Sequence, residues 1–79
     1  MNNYMKSLDE FVTLFAEQFD ETDPSEIKAE TCFRDLNDWS SLVALSIIAM
    51  IDEEFGVSLD SEVFKKSETV EELYNNLFS

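Results

Sequence analysis

The first apolar stretch of the chain repeats at intervals of three and four residues. This spacing predicts a helix from about Asn3 to Phe19 with a single core stripe, formed by Tyr4, Leu8, Phe11, Val12, Phe15 and Phe19. A long polar connection follows, and its Asp23–Pro24 pair disfavours helix at that junction. We expect the connection to pack against the helices through four anchors: Ile27, Cys32, Phe33 and Leu36.

The second apolar stretch begins at two adjacent serines. Ser40 is the expected N-cap, and the helix is predicted to end near Phe55, where Gly56 can adopt a left-handed conformation. A short turn around residues 58–67 follows, with apolar contacts from Leu59, Val63 and Phe64. The last helix is predicted over about residues 70–78, with a capping box of Thr69 and Glu72 and a stripe of Val70, Leu73, Tyr74 and Leu77. Three substantial helical pieces and one short piece predict an all-α bundle in one domain over residues 1–79.

The second helix carries more apolar residues than one core face requires. With Ser41 at zero and about 100° per residue, a core arc falls at roughly 180° to 340° and contains Val43, Ala44, Ile47, Ile48, Met50, Ile51 and Phe55. A second apolar group falls at roughly 40° to 100° and consists of Leu42, Leu45 and Ala49. Asp52 and Glu53 flank this group. Either the long connection covers it, or it is an exposed strip with an acidic rim that fits a partner's groove.

The distribution of charge favours the exposed strip. The chain has 18 carboxylates and five basic residues, with a net charge of −13, so nucleic acid and anionic membranes would repel it. Basic protein surfaces would attract it. From Asp35 to Phe64 there are seven Asp or Glu residues and neither Lys nor Arg. This local loss of positive charge indicates a basic protein partner.

Residue usage also bears on location and chemistry. The single cysteine, Cys32, excludes an internal disulfide and suits a reducing compartment, and a buried apolar role is favoured over a reactive thiol. The N-terminus lacks the apolar core of a signal peptide, and the near-apolar run at residues 42–51 is half a membrane span. We therefore expect a soluble, cytoplasmic protein.

Catalysis and specific metal binding are disfavoured by the residue types present. The chain has no His, so a Ser-His-Asp triad, a His-assisted cysteine and Cys/His zinc sites are not available. Two acidic stretches, "DETDPSEIKAET" and "DEEFGVSLDSEV", have neither the glycine at the sixth position nor the final glutamate of a calcium loop. We expect a protein that is not an enzyme and has no metal site.

The segment "DLNDWSSLVALSIIAMIDEEFG" resembles the signature of the acyl carrier protein family, an Asp-Ser-Leu triplet that opens the second helix. Counting back from "DEEF", Leu42 takes the signature leucine, Ser41 the modified serine and Ser40 the usual aspartate. If Ser40 were the modified serine, Leu42 would no longer follow it directly, as the leucine does in the signature. The turn holds one extra residue, and Trp39 lies beside the serines. Its ring either anchors the loop, which is the favoured interpretation, or packs beside an attached group.

This resemblance implies a small four-helix acyl-carrier-protein-like bundle, monomeric, with a 4′-phosphopantetheine arm from coenzyme A attached to Ser41. The arm would carry acyl or aminoacyl groups as thioesters, and the chain itself would perform no chemistry. The implied partners are a phosphopantetheinyl transferase and acyl- or aminoacyl-loading and transferring enzymes with basic patches. The implied partner surface consists of Asp38, Leu42, Leu45, Ser46, Ala49, Asp52 and Glu53. The alternative is an unmodified acidic interaction module related to these carriers, which the serine at position 40 supports.

Overall fold

The structure of the chain is a computed structural model that describes residues 7–78. It contains four α-helices: α1 (Leu8–Ala16), α2 (Ser41–Phe55), α3 (Ser61–Lys66) and α4 (Val70–Phe78). Two one-turn 3₁₀ helices, Pro24–Glu26 and Phe33–Asp35, lie in the connection between α1 and α2. Within the described residues no strand forms, and the predicted all-α bundle with three main helices and one short helix is confirmed.

Helix α1 is shorter than its apolar stripe predicts. Ser7 caps its start in a capping box with Glu10, at 3.2 Å in each direction, and the predicted start at Asn3 lies outside the described residues, as does Tyr4. The helix ends at Ala16 rather than at Phe19, because the backbone N–H groups after the C-cap residue Glu17 bond three residues back: Gln18 to Phe15 and Phe19 to Ala16, both at 3.1 Å. Phe19 is nevertheless buried, as expected.

Aromatic rings hold the bundle together. The Phe11 ring lies 5.5 Å from Phe55 on α2 and 5.3 Å from Tyr74 on α4, while Phe15 reaches Phe33 of the connection at 5.7 Å. Such tilted and edge-to-face pairs add to the free energy that burial of the rings supplies. The buried apolar core comprises Phe11, Phe15, Ala16, Phe19, Ile27, Phe33, Ile47, Met50, Ile51, Phe55, Leu59, Phe64, Val70 and Leu73.

The connection between α1 and α2 packs onto the bundle with three of the four predicted anchors. Ile27 and Phe33 are buried and Leu36 is half-buried. The prediction that Cys32 is buried was wrong, because its side chain is exposed. Its backbone forms an antiparallel bridge with Thr69, and the 3₁₀ helix that begins at the next residue places Phe33 in the core.

Hydrogen bonds hold this connection in place at two points. Asp23 caps the first 3₁₀ helix, where its Oδ1 accepts hydrogen bonds from the Ser25 N–H and hydroxyl, both at 2.9 Å. These bonds lower the pKa of the Asp23 carboxyl from its usual value. Near the start of α4, the Val70 N–H donates to the Thr31 carbonyl at 3.2 Å and the Glu71 N–H to the Ala29 carbonyl at 2.9 Å.

The α3–α4 corner contains the buried polar side chain Ser67. Its hydroxyl donates to the Val63 carbonyl at 2.8 Å and accepts from the Asn76 side chain at 2.7 Å, which ties the two helices together. The capping box predicted for α4 is half formed. The Thr69 hydroxyl accepts from the Glu72 N–H at 3.1 Å, but the Glu72 carboxylate accepts from the Glu68 N–H at 2.8 Å, one residue before the cap.

Candidate functional site

Two adjacent serines at the start of α2 have different environments. Ser40 has an extended backbone, with φ −157° and ψ 171°, and its hydroxyl accepts from the Val43 N–H at 3.3 Å. This confirms Ser40 as the N-cap. Ser41 is the first helical residue and is exposed, and within residues 7–78 its hydroxyl makes no hydrogen bond. The second hydroxyl is therefore accessible to another molecule.

The start of α2 is electrostatically suited to a negative group. The Val43 and Ala44 N–H groups bond to the Ser40 hydroxyl and carbonyl, at 3.3 and 2.9 Å, whereas the Ser41 and Leu42 N–H groups precede the first intrahelical bond. The first turn of this 15-residue helix contains no carboxylate that would neutralise its positive end. A phosphate ester on Ser41 would lie beside free N–H donors, so the residues present fit a phosphate-linked group.

An exposed apolar ridge follows Ser41 along the helix. We use "ridge" for Leu42, Leu45 and Ala49, of which Leu42 is 74% exposed and Leu45 62% exposed, with Ala49 also exposed. Among residues 7–78, Leu42 and Leu45 are the exposed large apolar side chains. The expectation of an exposed strip therefore holds for these three residues, and the alternative that the connection covers them was wrong.

The polar residues that were predicted around the ridge divide into two kinds. Ser46, Asp52 and Glu53 are exposed beside it on the same helix. Asp38 is half-buried, and its Oδ2 accepts from the Glu21 and Thr22 N–H groups at 2.7 and 2.9 Å and from the Thr22 hydroxyl at 3.3 Å. Its carboxylate thus joins residues 21–22, early in the connection, to the part of the connection that leads into α2. Sequence reasoning missed this structural role because the donors lie 16 and 17 residues away.

Trp39 fixes the position of the serines from inside. Its half-buried ring lies 5.0 Å from Phe33, 5.4 Å from Phe64 and 6.3 Å from Phe19. These contacts join two parts of the connection to α3, and they support the interpretation of Trp39 as a loop anchor. Ser41 follows this packed ring by two residues, so the core holds the start of α2 in place.

These features define a class of protein: a small helical domain that displays an accessible serine at the positive end of a helix, next to an apolar ridge. A family model described as the phosphopantetheine attachment site matches residues 9–77. The comparisons with curated proteins and with solved structures found no match. The chain belongs to the phosphopantetheine-binding carriers of the acyl carrier protein family, since the family model covers most of its length.

Membership of this family establishes the cofactor and the type of activity. The domain is an attachment site for 4′-phosphopantetheine, and its members are carriers rather than catalysts. They work with a phosphopantetheinyl transferase and with biosynthetic enzymes. None of the helices within residues 7–78 has the length and hydrophobicity needed to cross a membrane.

Proposed function

We propose that Ser41 is the residue to which the 4′-phosphopantetheine arm is attached. The observation that carries this proposal is the contrast between the two hydroxyls, since Ser40 is engaged as a helix cap and Ser41 is exposed without a partner in the described chain. The free N–H groups and the positive end of α2 stabilise the phosphodiester anion that Ser41 would bear. When bound, the arm supplies a terminal thiol that holds acyl or aminoacyl groups as thioesters.

The ridge and its polar neighbours are proposed as the docking surface for partner enzymes. Leu42, Leu45 and Ala49 supply apolar contact close to Ser41, and the exposed Asp52 and Glu53 supply negative charge to basic patches on a partner. Ser46 and Asp38 complete the surface, Asp38 with one oxygen engaged by the connection. Exposed ion pairs contribute only about 0–1 kcal/mol each, which suits a carrier that must dissociate from successive enzymes.

The proposed cargo is an acyl or aminoacyl intermediate of a dedicated biosynthetic pathway, carried by a monomer. The departure from the family signature supports this choice, since Ser40 stands where the family has aspartate and Trp39 precedes it. The serine supplies the cap bond without a charge, so an enzyme that recognises this start must do so without the usual carboxylate.

Intact mass spectrometry tests the attachment site after coexpression with several phosphopantetheinyl transferases. The unchanged chain and the Ser40→Ala variant should each gain the mass of one phosphopantetheine, and Ser41→Ala should gain none. An adduct that persists in Ser41→Ala and disappears in Ser40→Ala would move the site to Ser40.

The second candidate is an unmodified acidic interaction module, which the loss of the signature aspartate supports. Absence of any adduct, both with several transferases and in protein purified from its native cell, would favour this candidate. So would a Ser41→Ala variant that functions normally in the cell. Loss of function in Ser41→Ala together with a loaded wild-type chain favours the carrier.

A further inference from the structure

The indole N–H of Trp39 has no acceptor in the described chain. The side chain is half-buried, and within residues 7–78 its Nε1–H makes no hydrogen bond. Among the same residues every buried polar side-chain atom has a partner, so the Trp39 Nε1–H is not one of the buried atoms. Because this group can only donate, it is free to bond to an acceptor of another molecule. The ring therefore presents an open donor at the surface of the bundle.

The rest of Trp39 is held in place, so the direction of this donor is restricted. Its ring centroid lies 5.0 Å from that of Phe33, 5.4 Å from that of Phe64 and 6.3 Å from that of Phe19. Its backbone N–H donates to the Leu36 carbonyl at 3.0 Å. A donor that is already oriented loses little side-chain entropy when it binds an acceptor. Trp39 is thus suited to hold a neighbouring group in a defined position.

The backbone brings Trp39 close to Ser41. One residue separates them, so their Cα atoms are at most about 7 Å apart. That residue, Ser40, is nearly fully extended, with φ −157° and ψ 171°. An extended residue favours the same side for the side chains before and after it. Since Ser41 is exposed, a group attached to its hydroxyl starts within reach of the indole ring.

The group that the family attaches begins with a phosphodiester, whose oxygens are negatively charged acceptors. Hydrogen bonds to charged acceptors are stronger than those between neutral groups. No Lys or Arg lies between Arg34 and Lys65 in the sequence, so the segment on either side of Ser41 offers neutral donors rather than a cation. The Ser41 and Leu42 N–H groups are two of these donors, and the indole N–H of Trp39 is a third. The indole is therefore the side-chain donor best placed for a phosphodiester oxygen.

We propose that Trp39 is a positioning residue for the phosphopantetheine arm, with its indole N–H donating a hydrogen bond to a phosphodiester oxygen on Ser41. The inference rests on the proposed function, because it takes Ser41 as the attachment site. It adds a second role to that of loop anchor, since the packed ring holds the start of α2 while the N–H orients the arm. An arm that leaves the protein in a restricted direction loses less entropy when an enzyme binds it.

NMR of the indole N–H tests this contact directly. Trp39 is the single tryptophan of the chain, so the isotope-labelled full-length protein gives one indole N–H signal. After loading by a phosphopantetheinyl transferase, that signal should move downfield, and its exchange with water should slow about three- to tenfold. The Asn76 side-chain amide, which donates to the Ser67 hydroxyl at 2.7 Å, is the internal control and should not move. An indole signal with the same shift and exchange rate before and after loading would overturn the proposal.

Two substitutions in the same ring cluster separate the donor from its packing. Trp39→Phe removes the N–H and keeps an aromatic ring, whereas Phe64→Leu disturbs the packing and keeps the N–H. The measurement is the phosphorus NMR shift of the loaded protein, with the loaded chain unfolded in urea as the reference for a phosphodiester without contacts. Trp39→Phe should move the signal of the folded protein towards this reference, and Phe64→Leu should leave it near the wild-type position. Equal movement in both variants would assign the effect to packing and overturn the proposal.

Intact mass spectrometry of the same samples separates this inference from the proposed function. A chain that is loaded on Ser41 but whose indole signal does not move would refute the role of Trp39 alone. An adduct that persists in Ser41→Ala would refute the proposed attachment site, and the role of Trp39 would fall with it. The indole measurement uses the unchanged chain, so it decides the proposal even where a substituted chain fails to fold.

Discussion

The two faces of α2 carry similar side chains in opposite environments. On one face Ile47 and Ile51 are fully buried, and on the other Leu42 and Leu45 are 74% and 62% exposed. Burial of one more leucine would contribute about 1.5–3 kcal/mol, and this gain is not realised at the outward positions. The inward face therefore determines the stability of the fold, while the outward leucines are available for contact with other proteins. The same contrast holds for polar side chains around the site. Asp38 and Ser40 accept hydrogen bonds from the backbone, whereas Asp52 and Ser41 are exposed.

The largest expected effect is loss of stability from the inward face. Ile51→Ala should lower the free energy of unfolding by about 2–5 kcal/mol, because it removes buried methyl groups and leaves a cavity between the helices. That loss is a large share of the total stability of a small domain. Urea unfolding followed by circular dichroism and by Trp39 fluorescence measures it.

Leu45→Ala is the matched control for Ile51→Ala on the outward face. It should change the free energy of unfolding by less than about 0.5 kcal/mol, since the side chain is largely in water. Its expected effect is weaker binding to partner enzymes, measured by titration of the loaded protein. If Leu45→Ala destabilised the domain as much as Ile51→Ala, the assignment of separate roles to the two faces would be wrong.

A smaller effect is expected from the two aspartates near the ridge. Asp38→Ala should cost about 1–3 kcal/mol of stability, because the N–H groups of Glu21 and Thr22 lose a charged acceptor. Asp52→Ala should cost less than about 0.5 kcal/mol, since Asp52 is exposed. Thermal melts of both variants give the comparison.

The Asp38→Asn variant separates the structural role of Asp38 from its proposed role in docking. It keeps an acceptor oxygen for the connection but removes the negative charge. A folded Asp38→Asn protein that binds a basic partner as weakly as Asp52→Asn would place the charge of Asp38 in the docking surface. Partner binding unchanged from the wild type would leave Asp38 with a structural role alone.

The features that local sequence determines were predictable. Ser40 caps α2, Gly56 ends it at φ 68°, and the apolar spacing separates the core face from the ridge, because each depends on residues within a turn or two. The exposure of Cys32 and the hydrogen bonds of Asp38 depend on segments distant in the chain, namely Thr69 and residues 21–22. The pocket that Leu14 of α1 and Met50 of α2 line together was not predicted, since it depends on how the two helices pack.

The smallest expected effects distinguish the two serines. Ser40→Ala should lower the free energy of unfolding by about 1 kcal/mol, because the Val43 N–H loses its capping acceptor. Ser41→Ala should change it by less than about 0.5 kcal/mol, and alanine's higher helix propensity favours a slight gain. Chemical denaturation of the unmodified proteins makes the measurement, and Ser40→Gly, which retains most of the cap stability, is the control. If Ser41→Ala were the more damaging change, the Ser41 hydroxyl would have a structural partner, and its availability for the arm would be in doubt.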